Sequence, residues 1–295
     1  MTKVRGFCRA IPMKKIFTLL MICALALMTG CGGNETKPSD NAGKVKIGMI
    51  TRLNASEENF GNFMKKIEDT LDVKISSHTP VFFDNLNSME MALQSGQIDE
   101  ISTYRSVARY IIAQDPRFEI IKDHSLEFID SFCFALREED TELRDSLNDV
   151  ISEMQSDGTL GRLAKEYITD IKTNTEPPAV ELPHFDSAPT LKIAVTGDLP
   201  PLDFVSADGK PTGFNTAVLA EVGNRLLRNI ELVQVDSGAR AAVLTSKQAD
   251  VVFWAIVPVS EIIPSDSDRP EGTILTEPYF KDKIVHVSFK AEEKN

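Results

Sequence analysis

The chain has 295 residues, of which 42% are hydrophobic and 26% are charged. This composition is typical of a globular protein with a core to build, and it excludes a disordered chain. The formal net charge of −12 gives no electrostatic attraction to nucleic acid or to an anionic membrane surface, so no nucleic-acid partner is expected.

The N-terminal segment differs in character from the rest of the chain. Lys14 and Lys15 precede an apolar run over residues 16–28, and small residues and Cys31 follow. This order is that of a secretory signal, and the run is shorter than the roughly 20 residues that span a membrane. The ending MTGC resembles a bacterial lipoprotein signal, which implies cleavage after residue 30 and a lipid on Cys31. A buried apolar helix with a chance cysteine is the alternative.

Cleavage would change both the charge and the cysteine count. Residues 1–30 carry five Lys or Arg and no acid, so their removal takes the formal charge to −17. Of four cysteines, only Cys31 and Cys133 would remain, and a lipid on Cys31 would preclude an internal disulfide. Cys133 lies in an apolar run and is predicted to be a buried core residue. Residues 31–44 are polar and are predicted to be a flexible tether.

Strand and helix patterns alternate from residue 45 onward. Alternating apolar residues favour strands, and apolar residues three and four apart favour helices. Strands are predicted at 45–51, 81–83, 98–103 and 130–137, and helices at 55–71, 87–96, 106–114 and 141–158, with a last short helix up to 168. Residues 173–183 contain three prolines and no apolar period, which predicts a linker.

The same alternation returns after the linker. Strands are predicted at 191–197, 230–236, 249–256 and 279–290, and helices at 214–227 and 238–248. Alternating strands and helices in both parts predict an α/β fold with mostly parallel sheets.

Five stretches resemble one known family. LKIAVTGDLPPLDF (191–204), DGKPTGFN (208–215) and LTEPYF (275–280) are similar to the first lobe of type II periplasmic solute-binding proteins, family 3, which serve amino-acid ABC importers. Residues 134–168 resemble the C-terminal segment of that family, and 81–111 its second lobe. The resemblance implies a two-lobed α/β fold, with a mostly parallel sheet in each lobe and a hinge between them.

The order of these stretches indicates a circular permutation. The expected parts are lobe two at 45–136, tail helices packing on lobe one at 137–171, a Pro-rich linker at 172–190 and lobe one at 191–290. Permutation is tolerated where termini lie at the surface and close together. A tandem of two incomplete modules is the alternative, and it would leave hinge strands unpaired at sheet edges.

The resemblance also implies a ligand cleft between the lobes, at the carboxyl ends of the strands. Asp198 matches an acidic residue of the family that touches the ligand. Leu199 and Leu202 stand where the family has aromatic residues. Further candidate ligand-binding residues come from their expected positions near the cleft: Thr51, Arg52, Asn85, Tyr104, Arg105, Arg240 and Trp254.

The family's grip on an amino-acid zwitterion is altered. No Arg stands in the stretch 257–264, and Tyr104 replaces the acid that grips the amino group. The predicted function is still a substrate-binding lipoprotein of an ABC importer, monomeric and exported, that binds a small polar solute such as an amino acid and contacts permease subunits.

No catalytic motif is present, so neither an enzyme nor a cofactor is predicted, and no metal-ligand spacing occurs. The alternatives are a cleft hydrolase or dehydratase, in which Asp198 and Glu277 would pair, and a ligand sensor for a membrane partner.

Overall fold

The computed structural model describes residues 44–51, 57–71, 78–121, 128–259 and 269–290. All of them belong to one unit, Gly43–Asn295. The predicted signal peptide, residues 31–43 of the tether, and Arg52 lie outside the described residues. None of the helices in the described part is long and apolar enough to cross a membrane.

The N-terminal half, residues 45–136, alternates strands and helices as its periodicity predicts. Asn85 caps one of its helices, since its side-chain oxygen accepts from the Ser88 backbone N–H at 2.8 Å. Gly96, with φ of 72°, turns the chain after that helix. The elements are β1 (Val45–Ile50), α1 (Glu57–Leu71), β2 (His78–Phe83), α2 (Leu86–Gln94), β3 (Glu100–Tyr104), α3 (Arg105–Gln114), β4 (Phe118–Ile120) and β5 (Ile129–Arg137).

Two tail helices follow, α4 (Thr141–Ser156) and α5 (Thr159–Ala164), the second ending in a π-helical turn, Lys165–Thr169. Leu147, Val150, Ile151 and Met154 of α4 are buried, as their spacing on one face predicts. Arg225, on a helix of the C-terminal half, holds the Asp157 carboxylate at 2.7 Å. The tail helices therefore pack on that half.

The C-terminal half, residues 191–290, repeats the alternation after an irregular linker. Its elements are β6 (Thr190–Val195), β7 (Asp198–Leu199), β8 (Asp203–Val205), β9 (Pro211–Thr212), α6 (Phe214–Leu226), β10 (Asn229–Gln234), a 3-10 turn (Ser237–Ala239), α7 (Arg240–Thr245), β11 (Val251–Pro258), β12 (Thr273–Leu275) and β13 (Phe280–Phe289).

One ten-stranded sheet runs through both halves in the order β10-β6-β11-β5-β13-β3-β1-β2, with β12 on β5 and β4 on β13. The strands β2, β1 and β3 are parallel to one another, and so are β10, β6 and β11. All pairings of β5 and β13 are antiparallel. The predicted α/β class is confirmed, and parallel pairing is confined to three strands in each half.

The long strands β5 and β13 exchange between the halves. β5 ends the N-terminal half but pairs with β11, from Leu136 opposite Val251 to Asp130 opposite Pro258. β13 ends the C-terminal half but pairs with β3 and β4. The two strands also pair with each other, with Phe280 opposite Phe132. Each half therefore completes the sheet of the other.

A shared aromatic core lies where the halves join. The Tyr279 ring stacks on Phe134 at 5.0 Å and on Phe253 at 5.5 Å between centroids. Cys133 is 1% exposed, and burial raises the pKa of its thiol to about 12, which confirms the predicted core role.

Candidate functional site

The ends of β1 and β2 meet the 3-10 turn of the C-terminal half. The Ser237 hydroxyl donates to the Thr51 carbonyl at 2.5 Å, and the Thr51 hydroxyl donates to the Phe83 carbonyl at 3.2 Å. The carboxyl ends of parallel strands in an α/β protein are where ligands usually bind. In this protein, that edge is in direct contact with the opposite half.

Arg240 lies at the start of α7 and is fully buried. Its guanidinium donates to the carbonyl oxygens of Ser237 at 3.1 Å and Phe253 at 3.4 Å. It also reaches the Thr51 carbonyl at 3.5 Å, across the contact between the halves. Arg240 is therefore not solvated. Backbone carbonyl oxygens of the protein accept hydrogen bonds from this guanidinium.

A cavity of about 30 Å³ lies beside Arg240. Thr51, Tyr104 and Leu199, all predicted site residues, line it together with Arg240. A water needs roughly 10–15 Å³, whereas ligand pockets measure on the order of 300–1,000 Å³. The cavity beside Arg240 therefore has room for about two waters but not for an amino acid.

Tyr104 and Arg105 take internal roles at this edge. The Tyr104 hydroxyl donates to the Asp130 carboxylate at 2.8 Å, and its ring meets Phe132 edge-on at 4.7 Å. Arg105 begins α3. Burial raises the pKa of the Asp282 carboxyl, and the charge of Arg105 partly offsets that rise. The Asp282 carboxylate accepts from the Ser106 N–H at 3.0 Å. The start of α3 is therefore already occupied by an internal carboxylate.

Asp198 lies beside the start of α2. It is half-buried on β7, which contacts α2, and the Leu86 backbone N–H in the first turn of α2 is among the groups that favour its ionised form. Burial raises the pKa of Asp198, and hydrogen bonds from Thr196 and Leu86 and the charge of Arg240 partly offset that rise. Asp198 thus connects the two halves.

Two other predicted residues, Leu202 and Asn85, lie apart from both cavities. Leu202 is fully buried and lines neither cavity described here, and Asn85 is the α2 cap. Trp254 lies in β11, where the register with β5 shifts. Glu277 is exposed and lines neither cavity, and its backbone N–H donates to the Asn148 side-chain oxygen at 2.7 Å.

A larger cavity, of about 270 Å³, opens between α2, α3 and the loop after β6. Asp198 and Pro200 come from the C-terminal half, whereas the rest of the lining comes from the N-terminal half. Glu90 and Tyr110 supply polar groups that the sequence analysis did not single out. The signal for Glu90 was its place on α2, one turn after Asn87, on the same side of the helix.

Asp203 was also missed. It is 3% exposed and accepts from the Thr196 hydroxyl at 3.0 Å and the Gly197 N–H at 2.9 Å. Burial raises the pKa of Asp203 to about 6, and the nearby Asp198 contributes to the rise.

The part of the chain that the structure describes contains no cluster of three or more His, Cys, Asp or Glu suited to a metal ion. The groups that the two cavities offer to a ligand are carboxylates, amides, one buried guanidinium and backbone groups.

Residues 191–292 match the family described as bacterial extracellular solute-binding proteins, family 3. The match covers β6 to β13 and includes Asp198, Asp203 and Arg240. It confirms the family resemblance for the C-terminal half and supports a solute-binding role. A comparison with curated proteins finds no match.

Several solved structures resemble the chain weakly. The GluR0 ligand-binding core in complex with L-glutamate is 9% identical, with a TM-score of 0.38, over 85% of this chain and 86% of that one. The ligand-binding component of an ABC-type import system from Staphylococcus aureus, with zinc bound, is 11% identical, with a TM-score of 0.38, over 83% and 65%. Full-length CbnR complexed with its target DNA is 14% identical, with a TM-score of 0.39, over 96% and 77%. At TM-scores below 0.5, these likenesses assign neither a ligand nor a partner.

Proposed function

We propose that the protein is an exported, lipid-anchored substrate-binding protein of an ABC importer, which binds a small polar solute between its two halves. The observation that carries this proposal is the family match over 191–292. The signal-like N-terminus and Cys31 support export and anchoring. In this proposal the protein is a monomer that delivers its ligand to permease subunits.

The proposal includes the permuted order of domains. Lobe two spans 45–136, the tail helices 137–171, the linker 172–190 and lobe one 191–290. Three observations support this order: the parallel trio in each half, the exchange of β5 and β13, and the packing of α4 on α6. The boundary between the lobes would then follow the antiparallel pair β5 and β13.

Ligand entry in this proposal requires the halves to separate, because the inner cavity is only about 30 Å³. Two long strands that cross between lobes can serve as a hinge. The Ser237 to Thr51 hydrogen bond and the Asp198 contact with α2 would break on opening. Binding would then be coupled to closure.

The solute-binding role is tested with the full-length protein purified in detergent from its membrane. The protein is denatured, and the released small molecules are identified by mass spectrometry. A stoichiometric solute that also raises the melting temperature when added back supports binding. Ligand at 100 times its Kd should add about 2.7 kcal/mol of stability. A compound that is chemically converted on add-back would instead favour the cleft enzyme.

Transport and anchoring need separate measurements. Uptake of the identified solute should fall in cells that lack the protein. The variant Cys31→Ala should lose metabolically incorporated lipid and leave the membrane fraction. Unchanged uptake would contradict the importer role, and a lipid label retained in C31A would contradict anchoring at Cys31.

A further inference from the structure

The cavity of about 270 Å³ is the part of the contact between the halves that remains open. Its walls combine apolar and polar groups in the manner of a small-ligand site. Leu86, Ile111, Phe118 and Pro200 supply apolar surface. The amide side chains that line it are Asn87, Gln94 and Gln114. Its volume is close to the lower end of the range for ligand pockets, roughly 300–1,000 Å³.

The charges of this cavity are all of one sign. Glu90, Asp115 and Asp198 line it, and among the residues that the structure describes no Lys, Arg or His does. Asp115 has its own cation, since Arg117 contacts it at 2.6 Å, and this pair lowers the pKa of Asp115. Glu90 and Asp198 therefore leave the cavity with an excess of negative charge.

Glu90 is the most informative of these residues. Among the described residues, no side chain hydrogen-bonds or ion-pairs with its carboxylate. Burial raises the pKa of Glu90, and the charge of Asp115 raises it further. A partly buried carboxylate without a cation is costly to keep ionised, and a ligand cation would remove much of that cost. Tyr110 lines the same cavity, and the pKa of Tyr110 is raised by burial and by the charges of Glu176 and Glu90.

Groups that would hold a ligand carboxylate are already taken. Asp282 accepts from the Ser106 N–H at the start of α3, Asp198 lies on β7 beside the first turn of α2, and Arg240 donates to carbonyl groups. A ligand carboxylate in the open cavity would meet Glu90 and Asp198 with no compensating cation. The site thus discriminates by charge as well as by shape.

We infer that the open cavity binds a small organic cation with a protonated amine and no carboxylate, with Glu90 as its principal partner. An ammonium group donates three hydrogen bonds, which the Glu90 carboxylate and the amide oxygens of Asn87 or Gln94 can accept. Tyr110 and Phe118 provide aromatic surface for the cation. This inference rests on the proposed solute-binding function and narrows its ligand class.

The test is calorimetric titration of the full-length protein in detergent with three compounds of matched length. These are 1,4-diaminobutane, its carboxylate-bearing counterpart ornithine, and the neutral 1,4-butanediol. Diaminobutane should bind, and ornithine and butanediol should bind at least tenfold more weakly. In Glu90→Gln, which keeps the side-chain shape, diaminobutane should bind about tenfold more weakly or worse, because a charge-assisted hydrogen bond is lost.

Two further variants complete the design. Glu139→Gln removes the same charge from an exposed turn and should leave the Kd for diaminobutane unchanged. Gln94→Glu adds a carboxylate at the cavity and should tighten diaminobutane binding. A thermal melt of each variant checks that it is folded, so a loss of binding in E90Q can be separated from unfolding.

The outcomes separate this inference from the proposed function. Equal or tighter binding of ornithine would overturn the cation class but leave solute binding intact. Diaminobutane binding that E90Q does not weaken would overturn the site. If no compound binds, the cation inference fails, and the released-solute measurement decides the broader function: a released non-amine solute preserves it, and no released solute contradicts it.

Discussion

Asp203 is a carboxylate placed where ionisation is unfavourable. It is 3% exposed, Asp198 lies near it, and the charge of Arg240 only partly compensates. Hydrogen bonds from Thr196 and Gly197 hold one carboxylate oxygen, and the Asn215 amide approaches the other at 3.5 Å. The group fixes the loop after β6, which carries Asp198, and so it supports the candidate site indirectly.

This placement predicts an unusual pH dependence. The folded-state pKa of Asp203 is about 6, above the usual value of 3.8 for an aspartate, so the folded protein binds more protons than the unfolded chain between these values. Its contribution to stability is therefore greatest below pH 4 and falls as the pH rises through 6, by about 3 kcal/mol. Asp203→Asn cannot ionise, so the difference in unfolding free energy between wild type and variant should shrink by about that amount from pH 4 to pH 7, measured by urea unfolding.

Asp208 is the matched control for this titration. It is exposed in the turn before β9, and a hydrogen bond from Ser206 lowers its pKa. Its contribution therefore has the opposite sign and rises with pH, so Asp208→Asn should lose stability relative to wild type as the pH increases. A D203N variant that keeps the full pH dependence of the wild type would show that Asp203 is ionised without cost in the fold.

The element scale shows what periodicity can and cannot predict. The tail helix α4 and strands β1, β5 and β6 lie close to their predicted bounds, because their own apolar patterns define them. β4 and β12, of three residues each, were missed, because they exist through pairing with β13 and β5. The helix predicted at 238–248 begins instead as a 3-10 turn and forms α7 only over Arg240–Thr245.

The candidate site was less predictable than the elements. Asp198 and Arg240 were found from the loop and helix starts that carry them. The internal engagement of Arg240 depends on Thr51, 189 residues away, and only the approach of the two halves reveals it. The sequence signal for Glu90 is only its place one turn after Asn87 on α2, and because an acid on a helix is usually solvated, the cavity is what distinguishes this one.

Gly48 lies where β1 packs closely against neighbouring side chains. A Cβ at this position would lie 2.5 Å from Ile98 Cδ1 and 2.8 Å from Met89 Cγ, and both side chains are buried. Gly48→Ala should therefore destabilise the protein by about 1–3 kcal/mol through overpacking. Gly61, on α1, has open space around its would-be Cβ, so Gly61→Ala should stabilise by about 0.5–1 kcal/mol. Urea unfolding measures both, and a neutral G48A would contradict the tight contact.

At the scale of the whole molecule, the linker does more than join two segments. The Asn174 N–H donates to the Ala113 carbonyl at 3.2 Å, on α3 of the N-terminal half. The Val180 N–H donates to the Pro211 carbonyl at 2.9 Å, and Thr212 donates to Pro178, both on the C-terminal half. Residues 174–180 thus contact both halves, so an opening motion of the lobes must bend or release this segment.

The exchange of β5 and β13 has a consequence for folding. Every strand that pairs with β5, namely β11, β12 and β13, belongs to the C-terminal half. A chain ending at residue 172 would leave β5 and the apolar face of α4 without partners, including buried Phe132, Phe134 and Leu136. Residues 45–172 alone should therefore give no cooperative, monomeric melt. Two independent tandem modules would predict the opposite result.

Fragment complementation distinguishes a permuted single fold from a chain whose fragment 45–172 is unstable for another reason. Residues 45–172 and 173–295, expressed together, should associate and recover one cooperative transition, because each supplies a central strand of the other's sheet. Loss of β13 from the second fragment, by ending it at residue 278, should abolish recovery. Association that survives this truncation would mean that β13 is dispensable for joining the halves, and that the packing of α4 on α6 accounts for it instead.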